Sequence, residues 1–399
     1  MKIILIIVIT ATIALIGSQF TFNSRKIPLG TRHILLTGTE FIFIGLLIGP
    51  GFLQLINPDA AQQLHPFLSF GLGWIGFLFG LQFDINKVRF LPKNYFSITA
   101  VLAIITMLVV FWVFWVIFIG TLSYGHAHAW VLAMIMAAVA ACTGQSSMAI
   151  VHRDHHIPSK GLMNLFRYIA AVDALFSIMI CGLALCYHKV DQPFYTTAYH
   201  LSAWAWFIVS LSIGGILGFV FHFLSYHKVT QDELLLVTIG LVMFASGISL
   251  FLKLSPLLVT FAMGFIVANR SSRNTRVLEI MIRSEKSVYI LLVILAGASW
   301  QLSRAIPIGL AFLFIVVRAF GKYIGGFVAA KMIKTEFKVP TNMGLGLLSQ
   351  GGVAIAILVN VQQVFRESSI NLIFTIIIIA IIVNEFISPR LVIKLTGKE

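Results

Sequence analysis

The stretch Ala140-Ala141-Cys142-Thr143-Gly144-Gln145-Ser146-Ser147 decides the fold. It is a polar, glycine-containing patch inside an apolar run that covers residues 129–151. A run of that length crosses a bilayer as a helix, because hydrocarbon offers no partner to an exposed peptide group. Thr, Gly, Gln and Ser at its middle loosen such a helix, and the freed carbonyls and hydroxyls suit a cation. A second patch, Leu348-Ser349-Gln350-Gly351-Gly352-Val353, interrupts the run 341–362 in the same manner. Small residues also serve close helix packing in lipid. Matching patches in two distant runs point further, to a pair of broken helices.

Working outward, apolar runs fall near 3–20, 33–54, 64–84, 95–120, 129–151, 161–187, 199–224, 233–251, 255–268, 287–303, 305–330, 341–362 and 370–389, which makes thirteen spans. The 399 residues are 59% apolar and 11% charged. A soluble domain carries about 25% charged residues, so the composition is that of a polytopic membrane protein. The net charge of +14 is then read as topology before nucleic-acid binding. With thirteen spans, the loops on one side and the C-terminal tail hold twenty Lys and Arg, the other side holds five, and Arg167, Arg318 and Lys322 lie within spans. The positive-inside rule therefore places the N-terminus outside and the C-terminus in the cytoplasm. Residues 1–20 read as an uncleaved first helix, since a signal peptide would export Arg25, Lys26 and Arg32. Cys142, Cys181 and Cys186 have no metal-ligand spacing and read as buried thiols.

Laying the first six spans over the last six reveals an internal repeat. Gly45-Leu46-Leu47-Ile48-Gly49-Pro50 lies over Gly264-Phe265-Ile266-Val267-Ala268-Asn269 at an offset of 219. Phe79-Gly80-Leu81-Gln82-Phe83-Asp84 lies over Ala296-Gly297-Ala298-Ser299-Trp300-Gln301 at 217, and span 5 meets span 12 near 207. Seven is odd, so corresponding spans run in opposite directions. The expected fold is thus all-α, with thirteen transmembrane helices in two inverted-topology repeats, spans 1–6 and 8–13, and crossed broken helices in spans 5 and 12. Repeat one covers 1–187, a connecting helix 199–224 and repeat two 232–395, all in one transmembrane domain with no soluble domain.

An ionisable group within hydrocarbon is costly and is a functional candidate by default. Asp173 is the strongest, about 18 Å along span 6 from its cytoplasmic start at 1.5 Å per residue. A carboxylate at mid-bilayer can hold a proton or a monovalent cation, and competition for one site couples the two. Thr143, Gln145, Ser146 and Gln350, from the two breaks, are its candidate co-ligands. Arg318 and Lys322 are four apart and share a helix face. They are the candidate charge-compensating pair, with Arg318 deeper and Lys322 free to snorkel toward the cytoplasm. Glu40, Asp84 and Glu385 are secondary candidates, and Glu385, ahead of Pro389, reads equally as a capping or interfacial group. Arg167 reads as interfacial. The histidines His126, His128, His152, His155 and His156 read as solvated loop residues, with a pH-sensing role open for the cytoplasmic cluster.

These residues resemble the monovalent cation:proton antiporter superfamily, nearest its Kef-type branch, over essentially the whole chain. The resemblance is carried by Gly45-Leu46-Leu47-Ile48-Gly49-Pro50, by Gly80-Leu81-Gln82-Phe83-Asp84, by the break in span 5, by Asp173, by Gly321-Lys322 and by Ser349-Gln350-Gly351-Gly352. It implies a dimerisation domain, a core domain with crossed broken helices, and Asp173 as the ion-binding carboxylate in the sixth of thirteen spans. It also implies a homodimer in a bacterial inner membrane and a role in pH homeostasis. Two features depart from it. The residue before the Asp is Val172, where the family commonly has Asp, Asn or Gln. The chain ends ten residues after Pro389 with no G-x-G-x-x-G or phosphate loop, so nucleotide control is expected only through a separate regulatory subunit.

The function expected is secondary antiport of protons against Na⁺ or K⁺ by alternating access around Asp173, with no cofactor and no resident metal. A channel-like K⁺ efflux pathway and an organic-solute transporter on a related inverted-repeat fold are the alternatives. Two basic residues converging on one cavity would favour the last. Enzyme chemistry has no support, since no nucleophile elbow or catalytic carboxylate pair can be placed.

Overall fold

The computed structural model describes residues 41–49, 64–86, 92–144, 160–191, 201–225, 230–271, 274–300, 307–335, 337, 339–365 and 368–396. Among them are twelve α-helices: α1 Phe41–Ile48, α2 His65–Gln82, α3 Lys93–Gly120, α4 His126–Ala141, α5 Lys160–Asp191, α6 Ala203–Leu224, α7 Gln231–Phe251, α8 Pro256–Arg270, α9 Asn274–Ser299, α10 Ile308–Met332, α11 Gly352–Val364 and α12 Ser368–Thr396. A 3-10 turn, Met343–Leu347, precedes α11. These elements fall one by one on spans 2–13; span 1 lies outside the described residues. Six helices, α3, α5, α6, α7, α10 and α12, are long and apolar enough to cross a membrane. The outward faces of α6 and α7 expose Ile208, Ile216, Leu236, Met243 and Phe244, all more than half accessible, as suits contact with lipid.

Two elements differ from the sequence expectation. Span 10, expected from residue 287, begins at Asn274. The added turns are amphipathic: Val277 and Met281, four apart, are fully buried, while Arg276, Glu279 and Arg283 face outward. A segment counted as loop for its charges is therefore a helix with its charged side in the open. Span 13 runs through Pro389 to Thr396. A proline within a helix is tolerated in a membrane where neighbours re-satisfy the freed carbonyl.

Glycines set two close helix crossings. A Cβ on Gly45 of α1 would lie 2.1 Å from the Ile294 carbonyl of α9, and one on Gly297 of α9 would lie 2.2 Å from the Ile42 carbonyl of α1. The same reciprocity joins α2 and α8, where Gly80 meets the Phe261 carbonyl at 2.2 Å and Gly264 meets the Phe77 carbonyl at 2.3 Å. Backbones this close gain dispersion and need no side chain between them. Gly264→Leu should therefore force α2 and α8 apart, destabilising the protein by about 1–3 kcal/mol or more. Thermal unfolding in detergent reads this directly, and an unchanged midpoint would contradict the crossing.

Three apolar helices are short: α4, α8 and α11 have 16, 15 and 13 residues. At 1.5 Å per residue they reach about 20–24 Å, less than the roughly 30 Å of hydrocarbon. Two of them, α4 and α11, end inside the protein rather than at its surface, and their inner ends adjoin.

Candidate functional site

α4 stops at Ala141 because Cys142 turns extended, with φ −56° and ψ 137°. Cys142, Thr143 and Gly144 are non-helical. In the other half, Leu348–Gly351 is non-helical between the 3-10 turn and α11, and Gly351 is extended at φ −115°, ψ −152°. The interruptions touch. Gly144 N–H donates to the Ser349 carbonyl at 3.0 Å, and Ser349 Oγ approaches the Gly144 carbonyl at 3.4 Å. A Cβ on Gly144 would lie 3.1 Å from Gly351 N, so the small residue is what allows the contact.

A helix that ends in the interior strands its last carbonyls, and each needs a donor. Here side chains supply all of them. Cys142 Sγ lies 3.6 Å from the Ala138 carbonyl. Gln350 Nε2 donates to Val139 at 3.1 Å, Arg318 Nε to Ala140 at 2.9 Å, and Lys322 Nζ to Ala141 at 2.7 Å. Arg318 also donates to the carbonyls of Cys142 at 2.8 Å and Leu348 at 2.7 Å. One guanidinium thereby staples the end of α4 to the break before α11. Two cations at a helix C-terminus also oppose its partial negative charge. Both are fully buried, and they come from one face of α10, as their spacing of four predicts.

Asp173 lies in α5 and is fully buried. Thr143 Oγ1 donates to its Oδ2 at 2.5 Å, and Lys322 Nζ lies 3.5 Å from the same oxygen and 2.9 Å from Thr143 Oγ1. The other oxygen, Oδ1, accepts no hydrogen bond among the described residues. Lys322 is thus the cation that reaches Asp173, while Arg318 serves the broken backbone. The expectation that Lys322 snorkels to the cytoplasm is corrected: it has three buried acceptors within 3.5 Å and is 0% exposed.

The remaining candidates separate. Gln350 is fully buried, with Nε2 on Val139 and Oε1 accepting from Asn384 Nδ2 at 3.0 Å, so it ties α4 and α12 to the break. Glu385 is buried as well, within electrostatic reach of Arg318, and α12 continues three turns beyond it. The capping or interfacial reading does not suit that position. Asp84 belongs elsewhere: its carboxylate accepts from Asn86 N at 3.0 Å and Asn274 Nδ2 at 3.2 Å, where the ends of α2 and α8 meet the start of α9. Glu40, Gln145, Ser146, His152, His155 and His156 lie outside the described residues. Asn384, Ser349 and Cys142 complete the site and were not among the candidate site residues, although Cys142 and Ser349 lie in the two polar patches; the signal available for Asn384 was a polar side chain inside an apolar run.

A family profile described as "Sodium/hydrogen exchanger, transmembrane" matches residues 5–394. The chain belongs to the sodium/hydrogen exchanger family. Among solved structures, this exchanger-family chain is similar to the sodium proton antiporter MjNhaP1 from Methanocaldococcus jannaschii at pH 8, with a TM-score of 0.71 at 15% identity over 100% of both chains. An electron-microscopy map of the same antiporter matches at a TM-score of 0.60 and 16% identity, over 90% of this chain and 91% of that one. At these identities the likeness establishes a shared fold. No match is found among curated proteins. The exchanger family consists of integral membrane transporters, so the buried cluster at Asp173 belongs to a transporter and not to an enzyme.

Proposed function

We propose that the protein is a secondary antiporter exchanging protons for Na⁺ or K⁺, with Asp173 holding one or the other in turn. The observation that carries this reading is the Asp173 carboxylate itself: fully buried, at two abutting helix breaks, with Oδ2 engaged by Thr143 and Lys322 and Oδ1 left for a ligand. A proton on Oδ1 neutralises the acid. A dehydrated monovalent cation there restores the charge balance differently, with Thr143 Oγ1 and backbone carbonyls of the breaks as further oxygen ligands. Lys322 is the internal competitor, drawing toward Asp173 when neither is bound. In this role Thr143 is a ligand, Lys322 and Arg318 compensate charge, and Gln350 acts by holding the breaks in register; Gln145, Ser146 and Glu40 remain candidates of the same kind, while Glu385 balances Arg318.

Alternating access is supported by the glycine crossings. The sequence offsets of 219 and 217 carry Gly45 to Gly264 and Gly80 to Gly297, and the close contacts pair Gly45 with Gly297 and Gly80 with Gly264. A two-fold relation between the halves exchanges one contact for the other, as the proposed inverted repeat of spans 1–6 and 8–13 requires. Thirteen spans, an outside N-terminus, a Kef-type affiliation, an inner-membrane homodimer and control by a separate subunit belong to the same proposal. An organic-anion transporter fits less well. Arg318 and Lys322 do converge, but their donors are taken by carbonyls, Thr143 and Asp173.

The test is flux in proteoliposomes under an imposed pH gradient, comparing Na⁺ with K⁺. Val172 is apolar and buried beside Asp173, so one titrating carboxylate faces the ion and one-for-one electroneutral exchange is expected. Flux that scales with a clamped membrane potential counts against that stoichiometry, and proton movement that neither cation drives counts against antiport.

A further inference from the structure

α5 carries a polar stripe beyond Asp173. Ser177 and Cys181 follow at successive steps of four, both fully buried, which puts Cys181 about 12 Å further along the helix. The Cys142 thiol lies against Ser177, and the Cys181 thiol against the side chain of Asn360 in α11. Asn360 is itself fully buried. Its Nδ2 donates to Ser255 Oγ, the N-cap of α8, at 2.7 Å, while its Oδ1 has no hydrogen-bond partner among the described residues. Exchanging the two ends of the amide would still leave one polar atom unpartnered. Buried polar atoms are satisfied in the great majority of cases, so an exception asks for a role.

Past Asn360, towards the end of α11, side-chain amides bind α11 to the neighbouring helices. Gln362 Nε2 donates to the Ser299 carbonyl at the end of α9 at 2.9 Å, and Gln363 Nε2 to the His65 carbonyl at the start of α2 at 3.0 Å. Ser69 Oγ donates to Gln363 Oε1 at 3.2 Å. On α5, His188 stacks on Phe365 at 3.5 Å, and Lys189 donates to the Leu252 carbonyl at 2.7 Å. These contacts gather at the end of the molecule where α5 finishes, and they tie α5 and α11 to α2, α9 and the end of α7.

We propose that the seam between α5 and α11 is the route by which the cation reaches Asp173 from the side on which α5 ends, with Asn360 Oδ1 as a waypoint ligand and the Gln362 and Gln363 amides as the closure above it. The proposal rests on Asp173 being the ion site. Its chemistry fits a monovalent cation in transit: an amide, hydroxyls and a thiol are neutral, so they replace part of a hydration shell without holding the ion as a carboxylate would. The closure is made largely of neutral hydrogen bonds, individually modest and readily exchanged for water.

Cys181 provides the probe. The full chain in sealed right-side-out and inverted vesicles is treated with a membrane-impermeant cationic thiosulfonate, and peptide mass mapping separates Cys181 from Cys142 and Cys186. Exposed Lys253, next to Leu252, marks the relevant face once Lys253→Cys is introduced in a parallel sample. Cys181 should be modified from that face alone, more slowly in Na⁺ or K⁺, and about tenfold faster in Gln362→Ala/Gln363→Ala protein, where the closing bonds to Ser299, His65 and Ser69 are lost. Wild-type Cys181 that stays unmodified from both faces, or reacts from the opposite one, overturns the route without recourse to any variant. A rate that the double variant leaves unchanged overturns the closure. Asp173→Asn protein separates the two readings: its Cys181 should still react but lose protection by the cation, whereas protection that persists removes Asp173 as the ion site and leaves the route standing.

Discussion

Asp173→Asn protein is expected to exchange no cations for protons, with flux falling to that of protein-free vesicles. An amide cannot release a proton at this position and brings no charge to attract Na⁺ or K⁺. Asn is nearly isosteric and neutral, which by itself favours burial. Lys322 changes the account, because its ammonium lies 3.5 Å from Oδ2 and loses that carboxylate. Removing one member of a buried pair costs about 3–5 kcal/mol where the survivor is left uncompensated. Lys322 keeps the Ala141 carbonyl and Thr143 Oγ1, so the loss should fall below that range and the protein should still fold. Asp173→Asn/Lys322→Gln protein should regain thermal stability in detergent without regaining flux. That pattern separates the carboxylate's charge from its structural partnership. Exchange at the wild-type rate in the single variant would remove this carboxylate from the mechanism.

The helices were legible because lipid makes strong demands on sequence: every apolar run from span 2 onward holds a helix, and both interruptions fall on the Gly- and Ser-containing patches. Asp173 was legible for the same reason, as an acid where none is cheap. What the chain could not disclose was the division of labour between Arg318 and Lys322. Their spacing of four sends both in one direction, but which of them meets Asp173 depends on where α4 stops and how far its end lies from α10, and both are tertiary facts. Gln350 shows the same limit. It was read as a possible ligand from its place in a break, and its amide is consumed by Val139 and Asn384. The start of α9 was missed for another reason: charge density in residues 274–286 outweighed the spacing of Val277 and Met281, which alone marked the buried side.

Arg318→Ala should have the largest effect on stability of any substitution at the site. Arg318 is the largest fully buried side chain among the described residues, and truncation leaves a void in a packed interior as well as three carbonyls, of Ala140, Cys142 and Leu348, without their donors. Each unsatisfied buried acceptor costs about 1–3 kcal/mol, so a loss of at least about 3 kcal/mol is expected before the void is counted. Glu385, buried within reach of the same guanidinium, then lacks that cation. Arg318→Lys should recover only part of this. An ammonium is a point donor, whereas the planar guanidinium meets carbonyls of two separate chain segments at once from Nε and both terminal nitrogens. The order of thermal midpoints in detergent is therefore wild type, then Arg318→Lys, then Arg318→Ala. Arg318→Lys protein as stable as wild type would show that one positive charge at the end of α4 is enough. A deficit in Arg318→Lys matched by weaker cation-dependent flux would instead tie the geometry of the two breaks, and not charge alone, to the site that Asp173 completes.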